Sequence, residues 1–583
     1  MRLISTLTLL ALAIPPAAQT QNVPSATTST TNPAPNAQNT PAPPPATPTR
    51  ADILRGAYGP YRANNDLLYY HLDIRVDPVA RSIAGKNTVR FKMLEDATRI
   101  QLDLSETLAI DAITLNKLPL KYIRDSGALF IDFPQTLRKS QTYSIAVQYH
   151  GNPVSKGRFG GMSFEKDPAG RPWIFTACED DGSSIWWPSK DQWRDEPQEG
   201  MDLSVAVPND LTDVSNGRFV SKVDLHDGYT RWNWHVSYPI NSYDVALNIG
   251  AYEHFSDKWH DLTLDFYALP EDLGKARLQF PQAKGMLDAF THYFGEYPFA
   301  RDGYKLIQVP YAGMEHQSAV AYGNHFANGY LDRDWTGVGI SPRFDFIIIH
   351  ESGHEWFGNS ITAADRSDMW IHEAWTTYLE TLFVEFHYGR SDALRYTQGL
   401  IPKVRNLTPI LTERGVNADP PQDQYFKGAL MIATLRSVID TATNPSESDP
   451  RWFQLIHDFY QHFKYQNIMT EDVVAWWNDA LKQDLTPFFD QYLRHTAIPC
   501  LELNWLPDAP GTTTHSVQYK WQADEPAFAM PVKAGDPTHW QTLHPTTTWQ
   551  TFQTPLTQEQ FQVATDLFYI NTSKTWANTV PSI

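Results

Sequence analysis

The chain has 583 residues, and 66 acidic against 47 basic side chains give it a formal net charge of −19. That balance, with no basic stripe along the sequence, excludes a nucleic-acid-binding role built on phosphate neutralisation. Aromatic residues make up 13% of the chain, enough for large cores, and the length beyond residue 50 suits about three domains.

Residues 1–18 read as a signal peptide: Arg2 precedes the apolar run from Leu7 to Ile14, and small residues continue through Ala17 and Ala18. The run is too short to span a bilayer as a mature helix, so an exported protein, periplasmic or secreted, is expected. Residues 19–50 are rich in Pro, Thr, Ala and Asn, with hardly a large apolar side chain, and are expected to form a disordered linker. Over 51–268 strand follows strand. Tyr70, Leu72, Ile74 and Val76 alternate with polar residues, as do Tyr143, Ile145, Val147 and Tyr149. Period two predicts sheets with one wet face.

From 269 to 495 the periodicity becomes helical, with helices expected from Phe346 to Phe357, Trp370 to Tyr388, Tyr425 to Val438 and Thr470 to Leu481. Thr470 is placed as an N-cap, with Glu471 and Asp472 at the positive helix end. After Ile498-Pro499, short strands return at Val517 to Trp521 and Phe528 to Val532, so 496–583 is expected to be a small β domain. No later segment is long enough for a membrane span. Cys178 and Cys500 are the only cysteines; an exporting compartment permits a disulfide, but two free, buried thiols are expected.

The most informative stretch is His350-Glu351-Ser352-Gly353-His354, followed after 18 intervening residues by Glu373. Histidines four apart on a helix point the same way, so both imidazoles reach one metal ion. Glu373 adds an anionic ligand and leaves one coordination position open, the pattern of catalytic rather than structural zinc. Glu351 lies one residue along, next to where a water of lowered pKa would stand, and suits a general base. The bland alternative, a surface helix with two histidines, fits badly because Phe344 to Ile349 is almost wholly apolar and buried imidazoles need partners. These residues describe a zinc hydrolase acting on a polar carbonyl, with one Zn²⁺ per chain.

Three further motifs accompany this one: Ala312-Gly313-Met314-Glu315-His316, Thr176-Ala177-Cys178-Glu179, and Tyr425-Phe426-Lys427-Gly428. Together with HExxH-x18-E they resemble the gluzincin aminopeptidases, the family of aminopeptidase N and leukotriene hydrolase. Trp356-Phe357-Gly358-Asn359, Tyr378-Leu379-Glu380 and Asp195-Glu196-Pro197 also look like family landmarks. The resemblance implies an edge strand at Gly313 and Met314 lining the substrate groove. It implies Glu315 and Glu179 as anchors for a free amino terminus, and Tyr425 as transition-state stabiliser. It also implies a multidomain α+β fold: an N-terminal β-sheet saddle (51–268), a helical thermolysin-like catalytic domain (269–495) and a C-terminal β-sandwich (496–583), without a large C-terminal helical domain. His316 and His372 depart from the family's usual Asn and are read as neighbours of the site, not ligands.

The implied reaction is hydrolysis of the N-terminal peptide bond of peptides with a free amine. Stranding two buried carboxylates against a blocked terminus would cost several kcal/mol, which is what makes an exopeptidase. An endopeptidase or epoxide hydrolase on the same site stays open, although Thr377 stands where thermolysin-like endopeptidases often have Asp. A zinc-stabilised peptide-binding protein without turnover is disfavoured by the presence of both Glu351 and Tyr425.

Overall fold

The computed structural model describes residues 47–155, 160–440, 450–508 and 511–576. The expected signal peptide and nearly all of the expected linker lie outside them. The last linker residues do not: Thr49 caps a helix, Arg50–Gly56, in a reciprocal box with Asp52.

An eight-stranded sheet forms the body of the N-terminal region. Its strand Asn65–Asp77 runs antiparallel to Ser82–Met93 and parallel to Met201–Pro208. Tyr70, Leu72, Ile74 and Val76 all turn inward and are at most 1% exposed, as their alternation requires. A four-stranded sheet beside it carries Pro172–Ala177, the strand that delivers the chain to Glu179.

The five-stranded sheet of the catalytic region crosses the boundary expected at 268. Leu262–Ala268 pairs in parallel with Tyr304–Gln308, and Glu253–Trp259 lies outside it. Alternation reports that a segment is a strand, not which sheet it joins. At the far edge of this sheet Gly313–Met314 pairs with Val320–Tyr322.

The helices then pack around an aromatic core. Trp375, Phe357 and Phe459 form a triad of nearly parallel rings, with the two Phe centroids 4.9 and 5.2 Å from that of Trp375, and Trp477 stacks on Trp452 at 5.7 Å. Three expectations shift in detail. The HExxH helix is Phe346–Gly353 rather than reaching Phe357, because the chain turns after His354 to bring Gly358 back against it. Thr470 is the first helical residue, not the cap: its hydroxyl goes to Asp368 at 2.5 Å, and Asp472 accepts from the Met469 N–H. Phe528 to Pro531 form no strand, which begins at Val532; there the Met530 carbonyl is taken by the Trp521 indole at 3.0 Å.

Beyond Leu493 the chain forms a four-stranded and a three-stranded sheet, joined by Trp505 against Phe561. No large helical domain follows among the described residues. Cys178 and Cys500 are both free, and Cys500 is only partly buried. Among the described residues, no helix is long and apolar enough to cross a membrane.

Candidate active site

Asp345 starts the HExxH helix by accepting from the Ile347 and Ile348 N–H groups. Phe346 to Ile349 are at most 5% exposed, so the helix is buried on every face and its polar residues have to find partners inside. His354 ends the helix but keeps helical backbone angles, which preserves the four-residue register with His350. From the helix Trp370–Tyr388, Glu373 Oε2 comes to 3.7 Å from His350 Nε2 and 3.5 Å from His354 Nε2.

The other ring nitrogens are tied down. His350 Nδ1 faces Glu380 Oε1 at 2.7 Å, and Glu380 in turn accepts from the Tyr396 hydroxyl at 2.6 Å. His354 Nδ1 faces the Phe357 carbonyl at 2.9 Å. Both imidazoles therefore present Nε2 inward, oriented by the outer contacts that metal-binding histidines use. Burial lowers the His354 pKa to about 4, leaving it neutral and ready to ligate. Burial works the same way on His350, but Glu373 and Glu380 outweigh it and raise its pKa well above the usual value. Glu373 Oε2 has no hydrogen-bond partner among the described residues. A buried carboxylate oxygen facing two imidazole nitrogens in this way fits a divalent cation, and two nitrogens plus one oxygen suit zinc.

Beside this triad a second cluster gathers. Carboxylate oxygens of Glu179, Glu315 and Glu373 lie within 4.8 Å of one another, all buried, and Glu315 and Glu351 share a similar grouping with His354. Glu179 Oε1 has no hydrogen-bond partner among the described residues. Burial first, and then the neighbouring Glu315 and Glu373, drive the Glu179 pKa well up; burial alone is the chief cause that brings Glu315 to about 7. Such a cluster demands a cation. Glu315 accepts from the Tyr243 hydroxyl at 3.3 Å, and its carbonyl accepts from Asn359 Nδ2 at 2.7 Å.

Gly313 places its strand directly against Glu351: a Cβ there would stand 2.8 Å from the Glu351 Cγ and Oε1. Met314, next along, is buried. Tyr425, on the helix Asp423–Asp440, stacks on His350 with ring centroids 6.2 Å apart. Burial and then the surrounding Glu373, Glu179, Glu315 and Glu351 raise its pKa, so the hydroxyl remains a donor. Two residues of the same motif explain how it gets there. Gly428 lets the helix touch Ala374, and Lys427 donates to the His495 and Thr496 carbonyls at 2.7 and 3.0 Å.

A cavity of about 260 Å³ opens beside His350 and Glu351, walled by Tyr330, Trp335, Phe346, Tyr425 and Phe426. His372 is no ligand: its Nε2 accepts from the Ala363 N–H at 2.7 Å and its ring stacks on Trp193. His316 is wholly buried outside the metal grouping, and burial lowers its pKa to about 3.

All nine residues singled out from sequence therefore converge here. Sequence reasoning missed Tyr243, which carried no motif signal, and gave Asn359 and Glu380 no role although both stood in recognised landmarks. Glu380 lies two turns after Glu373 on one helix face, a spacing that would have revealed it.

Comparison with known proteins shows what the chain is similar to. Residues 67–243 match the peptidase M1 N-terminal domain, and 279–492 match the peptidase family M1 domain. Puromycin-sensitive aminopeptidase of Caenorhabditis elegans is 22% identical over 74% of this chain and 47% of its own length. Leucyl aminopeptidase of Saccharolobus solfataricus is 21% identical over 52% of this chain and 39% of its own. The chain thus spans less than half the length of these curated relatives. Among solved structures, an M1 zinc metallopeptidase from Deinococcus radiodurans, a variant bound to a Tyr-Ser-Ala substrate, superposes with a TM-score of 0.61. It is 19% identical, over 76% of this chain and 98% of that one, a likeness of fold.

Proposed function

The chain belongs to the M1 peptidase family, and from that membership we propose that it is a zinc-dependent aminopeptidase that removes the N-terminal residue of peptides. One observation carries the choice of an exopeptidase: Glu179 and Glu315 lie side by side, buried, within 4.8 Å of the Glu373 carboxylate. A substrate ammonium is the natural counter-charge for that pair, and it would set the reacting carbonyl one residue from the clamp.

His350, His354 and Glu373 would hold the zinc. When bound, zinc supplies a Lewis acid and lowers the pKa of a coordinated water to about 7. Glu351, pressed against Gly313, takes the proton of the attacking water and returns it to the departing amine. Tyr425 donates to the oxygen on which charge develops. The edge strand Gly313–Met314 offers backbone groups to an extended peptide. The residue after the cut enters the aromatic-walled cavity beyond Tyr425. Export from the cytoplasm belongs to the same proposal, on the strength of residues 1–18 alone, and N-terminal sequencing of the mature protein tests it.

The deciding experiment compares a free-amine dipeptide with its N-acetyl form, for the wild-type protein and Glu315→Ala. The expected result is strong preference for the free amine, and a kcat/KM lower by about 10- to 1000-fold in the variant. Zinc content should be unchanged. Equal turnover of both peptides by the wild type would make the protein an endopeptidase instead.

A further inference from the structure

Arg366 lies outside the metal site but reaches the amine clamp from behind. It is 7% exposed, and its guanidinium donates to the Glu179 carbonyl, to the Ala418 carbonyl at 3.5 Å and to Asp419 Oδ1 at 2.7 Å. It also lies over the Trp193 ring, 5.3 Å from the centroid. Glu179 itself sits just past the end of the strand Pro172–Ala177, in a turn closed by the Gly182 N–H to the Cys178 carbonyl. With one carboxylate oxygen unpartnered, its reach into the site is set by its backbone.

The helix Arg50–Gly56 grips the same two segments. The Asn417 N–H donates to the Asp52 carbonyl at 2.9 Å, and a Cβ on Gly56 would stand 2.4 Å from the Val416 carbonyl carbon. Arg55 faces Asp181 and Asp191, each at 3.9 Å. Asp191 accepts from the Ser183 and Ser184 N–H groups at 3.2 and 3.0 Å, tying down the end of the Glu179 turn. Arg62, wholly buried, holds the helix in place by donating to the Leu54, Arg55 and Ala57 carbonyls. This helix precedes the stretch that matches the family's N-terminal domain, which begins at residue 67.

We infer that Arg366 is a positioning residue for Glu179, and that the helix Arg50–Gly56 acts with it as a backing that sets how far the clamp reaches toward a substrate ammonium. The inference rests on the proposal that Glu179 and Glu315 hold that ammonium. A displacement of about 1 Å in such a contact costs up to roughly 100-fold.

The test uses the full-length, zinc-loaded enzyme with a free-amine dipeptide and its N-acetyl form. Arg366→Gln should raise KM for the free amine about 10-fold or more, within the range for truncating a buried charged contact, while kcat and zinc content change little. Discrimination against the N-acetyl peptide should fall. Combined with Glu179→Ala, its effect should be far from additive, as expected of two residues acting through one contact. Additive losses, or a lower melting temperature with KM unchanged, would overturn the inference.

Should Arg366→Gln fail to fold, Arg55→Ala carries the test from the partly exposed helix. Its KM should rise roughly two- to fivefold, the worth of a weak ion pair, and an unchanged KM would refute the backing role. The two levels separate cleanly. Equal turnover of both peptides by the wild type ends the clamp proposal and this inference with it. A raised KM in Glu179→Ala but not in Arg366→Gln ends the inference alone.

Discussion

Gly428→Ala probes how the Tyr425 helix is seated. The helices Trp370–Tyr388 and Asp423–Asp440 touch at this glycine, where an added Cβ would stand 2.5 Å from the Ala374 Cβ. Carbon atoms settle at about 3.5–4.0 Å, so the helices must part by roughly 1 Å. Helix propensity favours Ala by about 1 kcal/mol, whereas overpacking costs about 1–3 kcal/mol. The net loss of stability is then about 0–2 kcal/mol, a small shift in Tm for a chain of this size. Activity should suffer more. Tyr425 lies one turn before Gly428 and Glu373 immediately before Ala374, so the gap opens between the hydroxyl and the metal triad. Misplacement by about 1 Å predicts a kcat lower by roughly 100-fold, with KM and zinc content nearly unchanged. Ala374→Gly removes the colliding methyl, so the double variant should recover most of the lost kcat. Steady-state kinetics, elemental analysis and thermal melts on the four proteins decide it. Wild-type kcat in Gly428→Ala, or a double variant no better than the single, would refute the reasoning.

His354→Ala should lose zinc and activity together, whereas Glu351→Gln should keep zinc and lose turnover by about 10²- to 10⁴-fold; elemental analysis beside kcat separates the two. Asp213 is wholly buried against the Trp234 indole and the Ser215 hydroxyl, and burial pushes its pKa up to about 8. Because the folded state holds this proton more tightly than the unfolded chain, its contribution to stability is present at low pH and is lost as pH rises toward about 8. Asp213→Asn should therefore flatten that part of the fall in Tm, and an unchanged Tm–pH profile would show that the group titrates normally. A chain beginning at Thr47 should match the full-length protein in Tm and kcat/KM. One beginning at Ala51 lacks the Thr49 cap and should be less stable by about 1 kcal/mol, which paired thermal melts will show.

Features that depend on local periodicity, or on groups brought together within one helix, were legible in residue order alone. Histidines four apart share a face wherever a helix forms, and the apolar run before His350 requires that helix to be buried. Alternation at Tyr70 to Val76 likewise dictates which face of its strand turns inward. Features that depend on contacts between distant segments emerged with the folded chain. Alternation cannot name a strand's partner, so the five-stranded sheet runs past 268. The Thr470 hydroxyl was expected to cap its own helix, but Asp368, 102 positions away, takes it instead. Motif context named Glu179 and Glu315 separately, yet their meeting beside Glu373, the hold of Asn359 on the Glu315 carbonyl and that of Arg366 on Glu179 arise from packing across three regions of the chain. No spacing encodes such contacts, because buried charges take their partners from whatever the folded chain brings within a few ångströms.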